Sequence, residues 1–195
     1  MGHAAVKLPM TAEEFLAWDE SQPIRHEFLR GEVYAMAGGE DRHATLALNF
    51  AMALRGHLQG SPCRTYINDV KLRVAPADAY FYPDVMVTCS AVDAAHRLIK
   101  SEPLLVIEVL SPGTAGYDRG DKFAAYRMLA SLREYVLADP RSRRCDVHRR
   151  GDDGLWILHP FDAAEGVHLA SVELSIDAET LWAEVEPGAA PGAMI

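Results

Sequence analysis

The spacing of apolar residues changes period several times along the 195-residue chain. Thr11-Ala12-Glu13-Glu14 has the form of a capping box and predicts a short helix through Trp18 that buries Phe15 and Leu16. Residues 26–29 and 32–36 read as strands around Arg30-Gly31, an N-terminal hairpin. Leu46, Ala47, Phe50, Ala51, Leu54 and Leu58 recur at helical spacing and predict a long helix over 43–58, stopped by Gly60-Ser61-Pro62. Strands are predicted over 64–67, 69–74 and 80–88. Polar and apolar positions alternate in the second, which turns Asp69 and Lys71 toward solvent. Over 104–110 only Glu108 interrupts a continuous apolar run, the pattern of a central strand covered on both faces. A helix over 119–132 and a strand over 134–138 follow, as in a strand-helix-strand crossover. Strands over 145–149 and 155–159 bracket Gly151-Asp152-Asp153-Gly154, a C-terminal hairpin. A strand over 167–174 and a helix over 177–185, capped by Asp177, complete the series. The whole of 1–195 is expected to form one domain, with 1–10 and 186–195 flexible.

Composition narrows the function classes. Apolar residues make up 49% and charged residues 24%, ordinary globular values that exclude a disordered or collagen-like chain. Lys plus Arg is 19 and Asp plus Glu is 28, a net charge of −9. A protein that coats nucleic acid by charge alone is excluded; a local basic groove, or a cation that screens phosphates, is not. Cys63, Cys89 and Cys145 lie far apart with no CxxC or Cys/His cluster, so neither structural zinc nor a disulfide framework is expected. Reduced thiols and a cytoplasmic setting are. No apolar run approaches the ~20 residues of a membrane span, and the first ten residues carry no signal-peptide core.

Three residues carry the candidate chemistry. A carboxylate in the middle of a buried strand is costly unless paired or bound to a metal, which singles out Glu108. Asp84 follows Pro83, which forbids a ladder bond there and suggests a bend or edge. On adjacent strands Asp84 and Glu108 can share one divalent cation; without it they repel. Lys122, in the helix after the Glu108 strand, can point back over the strand end toward both carboxylates and hold a phosphate; its alternative is a surface pair with Asp118. Tyr126, one turn on, can donate to a phosphate or a carboxylate, or simply pack on the sheet. Ser111 lacks a G-x-S-x-G setting and makes no triad with His148, His159 or His168. Arg141, Arg143 and Arg144, with Arg149 and Arg150, form either a solvated loop or a phosphate-contacting stripe.

Pro83-Asp84, then Glu108, then a lysine is the order found in metal-dependent phosphodiesterases of the PD-(D/E)XK class. More closely, the chain resembles the Uma family of "putative restriction endonucleases". The matching pieces are 26–33, His43, 82–85, 106–112, Asp118 with Lys122 and Tyr126, and Glu134-Tyr135 with Asp139-Pro140, within roughly 11–150. The resemblance implies an α/β fold with a restriction-endonuclease-like core, a mixed central sheet flanked by helices. It implies a Mg²⁺ site on Asp84 and Glu108, replaceable by Mn²⁺, and Lys122 as catalytic lysine. Leu110 stands where E-x-K would have its lysine, so the helix supplies it. Glu27 is a further catalytic candidate, with a cross-strand pair to an arginine as its alternative. His43 is expected either near the site, as Tyr126 is, or as a capping or core imidazole. The implied function is endonucleolytic hydrolysis of DNA by a homodimer or higher homo-oligomer. The alternatives are a catalytically silent scaffold, or a hydrolase of another phosphorylated substrate.

Overall fold

Two six-stranded sheets share the chain, and the segment passing between them carries one of the candidate acids. A computed structural model describes residues 5–7, 10–36 and 38–186. The expectation of flexible ends falls mostly on residues outside these. In chain order the elements are β1 (Ala5–Lys7), α1 (Ala12–Asp19), β2 (His26–Leu29), β3 (Glu32–Ala35), α2 (Asp41–His57), β4 (Arg64–Ile67) and β5 (Lys71–Val74). Next come β6 (Ala79–Phe81), β7 (Val85–Thr88), α3 (Ala91–Ala95), β8 (Ile99–Lys100) and β9 (Leu105–Val109). Then follow α4 (Ala115–Tyr117), a π-helical turn (Asp118–Lys122), α5 (Phe123–Tyr126), β10 (Glu134–Asp139), β11 (Arg144–Arg150), β12 (Trp156–Phe161), β13 (Val167–Leu169), β14 (Leu174–Ile176) and α6 (Ala178–Leu181). One sheet has the order β1-β3-β2-β6-β5-β8 and the other β12-β11-β10-β9-β7-β4, with β13-β14 a separate hairpin.

The second sheet is mixed: β9 and β10 are parallel, joined by the helical crossover, and the other pairs are antiparallel. All five residues of β9 are buried. Its alternate side chains Leu105, Ile107 and Val109 pack with Leu46, Phe50 and Leu54 of α2, while Val106 packs on the other face with Ala125 and Tyr126 of α5. Each such aliphatic or Phe side chain contributes ~1.5–3 kcal/mol by burial. In α1 the capping box forms, with Thr11 Oγ1 accepting from Glu14 N–H at 3.2 Å and the Glu14 carboxylate from Thr11 N–H at 2.7 Å. That sets Phe15 against Phe28 of β2, ring centres 5.1 Å apart.

The structure corrects several expectations. The strand expected over 80–88 is two strands in different sheets, because Tyr82-Pro83-Asp84 leaves one sheet and enters the other. The crossover helix starts at Ala115 and ends at Tyr126; after it, turn bonds from Met128 N–H to Ala125 O and Leu129 N–H to Tyr126 O keep Leu129 and Leu132 buried without further helix. The strand expected over 167–174 folds back on itself, since Glu173 adopts a left-handed φ of 54° and Val167 pairs with Ile176. Lys71 does not face solvent: its side chain is 12% exposed and pairs with Asp19, whereas Asp69 is exposed as expected. Cys63 and Cys89 are not reduced thiols but a disulfide. Arg64 of β4 lies opposite Thr88 of β7, so the next pair outward along that register is Cys63 and Cys89. Sheet pairing closes a distance of 26 positions in sequence. The thiol argument for a cytoplasmic setting therefore no longer stands on these two residues. Among the described residues no helix is long and apolar enough to cross a membrane.

Candidate active site

The register of β7 on β9 brings the two acids together. Val85 pairs with Ile107, and one step further along the same antiparallel ladder Asp84 comes opposite Glu108. The Val109 N–H donates to Asp84 Oδ2 at 2.7 Å, fixing that carboxylate against the strand. Glu108 shares its strand face with Val106, the face that Tyr126 covers, and the Tyr126 hydroxyl donates to Glu108 Oε1 at 2.8 Å.

Lys122 completes the group. The π-helical turn carries both Lys122 and Asp118 inward, as such turns often do at functional sites. Lys122 Nζ lies 2.9 Å from Glu27 Oε1, 3.2 Å from Glu108 Oε1 and 3.6 Å from Asp118 Oδ1. The Asp118–Lys122 pair is thus no surface pair, its side chains being 3% and 8% exposed. Sequence reasoning met Asp118 only as a surface partner of Lys122 and as a position of the family resemblance, not as a site residue; the signal was its position one turn before the lysine. Glu27, on β2 of the other sheet, is held by Lys122 rather than by an arginine and also accepts from Tyr82 N–H at 3.0 Å. His43, in the first turn of α2, places Nε2 3.3 Å from Asp84 Oδ2. It neither caps the helix nor enters the core. A Cβ at Gly39 would stand 3.2 Å from the His43 ring, so the residue without one lets the loop pass close.

Acids outnumber bases here. Burial pushes the Glu108 carboxyl well above its ordinary value; Lys122 pulls it down, but Asp84, Asp118 and Glu27 add to the rise. Asp118 is raised by burial, against the opposing pull of Lys122 and a hydrogen bond from Thr114. Burial alone would lower Lys122, yet Glu108, Glu27 and Asp118 together hold it well above its ordinary value, so it remains an ammonium. At His43 burial also works downward, and the hydrogen bond and charge of Asp84 prevail and raise it. Tyr126 is raised by burial and by Glu108, so its hydroxyl keeps its proton.

These residues line one cleft of about 1580 Å³, whose walls include Glu27, His43, Asp84, Glu108, Asp118 and Lys122. Among the described residues no three His, Cys, Asp or Glu side chains are gathered as a metal cage. The donor set nonetheless suits a hard cation. Mg²⁺ is usually held by one or two carboxylates, with waters and substrate phosphates completing its shell. One oxygen of each acid is engaged, Asp84 Oδ2 and Glu108 Oε1, while Asp84 Oδ1 and Glu108 Oε2 accept no hydrogen bond from any described residue.

Other candidates disperse. Ser111 contacts Thr114 Oγ1 at 3.0 Å, and His168 contacts Ser175, so no triad forms. The arginine cluster is divided among separate partners: Arg141 with Glu40, Arg144 with Asp146, Arg149 with Glu134, and Arg150 with the carbonyls of Leu129 and Ala130.

The family model named Uma2, described as "Putative restriction endonuclease", matches residues 12–180. The chain belongs to the Uma2 family. Two uncharacterized proteins of Synechocystis sp. are similar to it, one 34% identical over 173 residues (89% of this chain and 91% of the relative). The other is 32% identical over 151 residues, covering 76% and 85%. Among solved structures, a "putative nuclease belonging to DUF820" from Anabaena variabilis superposes with a TM-score of 0.74 at 17% identity, over 89% of this chain and 98% of that one. At that identity the likeness establishes the fold, and it is the nuclease-like α/β fold that the Uma2 match implies.

Proposed function

We propose that this Uma2 protein is a Mg²⁺-dependent endonuclease that hydrolyses DNA phosphodiester bonds, with Mn²⁺ as a substitute ion. The observation that carries the reading is the meeting of Asp84 and Glu108 at one register position beside the Lys122 ammonium. When bound, a divalent ion would polarise a phosphoryl oxygen and lower the pKa of water. Asp84 and Glu108 would hold it through the oxygens that the protein leaves open. Lys122, kept charged by its three carboxylates, is suited to neutralise charge that builds on the phosphoryl oxygens, not to accept a proton. Glu27 positions that ammonium, Tyr126 orients Glu108 through its hydroxyl, and His43 orients Asp84. Water attacks phosphorus and gives up a proton to solvent, the bond from phosphorus to the leaving oxygen breaks, and that oxygen takes up a proton from solvent. A homodimer, one subunit for each strand, suits double-strand cutting.

Lys122→Ala is expected to abolish Mg²⁺-dependent cleavage of DNA and to lower the denaturation midpoint, because three buried carboxylates lose their counter-charge, while circular dichroism below that midpoint still shows a folded protein. Cleavage at the wild-type rate in a folded Lys122→Ala protein removes Lys122 from the mechanism. Calorimetric titration of the wild type with Mg²⁺ separates the nuclease from a silent scaffold: absence of binding at millimolar ion favours the scaffold.

A further inference from the structure

Among the described residues three Lys and Arg side chains line the cleft, and one of them belongs to the acid cluster. The other two, Arg25 and Lys71, pack on the same ring: the Arg25 guanidinium carbon lies 5.7 Å and the Lys71 ammonium 5.6 Å from the centre of Tyr82. The backbone N–H of Tyr82 donates to Glu27 Oε1, the oxygen that holds Lys122. Tyr82 stands two residues before Asp84, and two residues of extended chain span at most ~7 Å. Cations and acids therefore sit side by side along one wall.

Lys71 is held for this position. Asp19 Oδ2 receives its ammonium at 2.8 Å. Asp19 is itself 4% exposed and is fixed by the His26 N–H at 3.1 Å, the His26 ring at 3.1 Å and the Tyr82 hydroxyl at 3.4 Å. The ammonium also lies 5.5 Å from the Phe15 ring centre. An ammonium has three N–H donors; among the described residues Asp19 and the Tyr82 oxygen are the acceptors it meets. Arg25 pairs with Asp69 at 2.6 Å, but those side chains are 49% and 61% exposed, and such a surface pair exchanges at little cost. None of the arginines that looked like a phosphate stripe in the sequence is among the described residues that line this cleft.

We infer that Arg25 and Lys71 form a second phosphate subsite, which takes a phosphodiester flanking the one bound at Asp84, Glu108 and Lys122. The inference rests on the nuclease reading and deepens it: the cleft is built for a polynucleotide rather than for a small phosphoester. Arg25 and Lys71 reach the cleft around the Tyr82 ring, two residues along the chain from Asp84, so a backbone phosphate held there would belong to the same bound strand as the one at the acids.

The test is the salt dependence of binding, read by fluorescence anisotropy in Mg²⁺ on an end-labelled DNA duplex with phosphorothioate linkages. Removing one cation that neutralises a phosphate makes the slope of log Kobs against log[salt] shallower by ~0.9 for a duplex. Arg25→Gln is expected to change it by one such step; so is the double variant Lys71→Gln with Asp19→Asn, which leaves no unpaired buried charge. Lys71→Arg is expected to keep the wild-type slope. If the wild type binds and both charge-removing variants keep its slope, the subsite is wrong and the nuclease reading stands. If the wild type neither binds nor cuts DNA, both fall. Arg25→Gln alters an exposed side chain, so its result does not depend on rebuilding the cluster around Asp19.

Discussion

At the scale of single residues, a buried carboxylate such as Glu108 survives only because others arrange themselves around it. Its Oε1 takes both the Lys122 ammonium and the Tyr126 hydroxyl. Tyr126→Phe removes one of these donors and keeps the ring contacts with Phe81 and Tyr135, whose centres lie 5.1 and 5.3 Å away. The expected loss is about 1–2 kcal/mol in urea denaturation, that of one hydrogen bond to a polar or charged acceptor. An unchanged midpoint would mean that the hydroxyl does not bear on Glu108. Glu108 and Asp84 were legible in the sequence because each violates its surroundings, an acid in an apolar run and an acid behind a proline, and Lys122 because it stands in the helix that follows the Glu108 strand. Lys71 was not, since alternation along a short strand marks which face a side chain takes but not what covers that face. Asp19, which covers it, comes from a helix elsewhere in the chain.

At the scale of elements, the long periodic segments were the readable ones. α2 and β9 lie where apolar spacing put them, since each buries a full face or two. Some of the misread elements were set by a local turn, as at Glu173, and others by partners distant in sequence. Tyr80 and Met86 both sit in β-structure, but only the pairing of β6 with β2 and β5 and of β7 with β4 and β9 tells which sheet each joins. The Cys63–Cys89 bond is another product of such pairing, and it can be counted directly. Thiol titration of the unfolded, unreduced protein is expected to find one reactive group, Cys145, against three after reduction. Closing a loop of this length contributes roughly 3 kcal/mol in the chain-entropy view, so reduction is expected to lower the denaturation midpoint. Three thiols without reductant would exclude the bond.

At the scale of the whole molecule, the cleft concentrates negative charge, with Glu27, Asp84, Glu108 and Asp118 facing one lysine. An ion that relieves this repulsion should stabilise the fold. With Mg²⁺ at a hundred times its Kd the gain is about 2.7 kcal/mol, to be read as a rise in Tm that Asp84→Asn or Glu108→Gln abolishes. Equal Tm values with and without Mg²⁺ would show that the acids do not bind it. The sheets that build the cleft are interleaved in sequence: β4 and β7 of one lie among β2, β3, β5, β6 and β8 of the other. No single cut divides the polypeptide into one sheet and the other. Glu27 on one sheet and Glu108 on the other therefore meet at the Lys122 ammonium only when both sheets have formed.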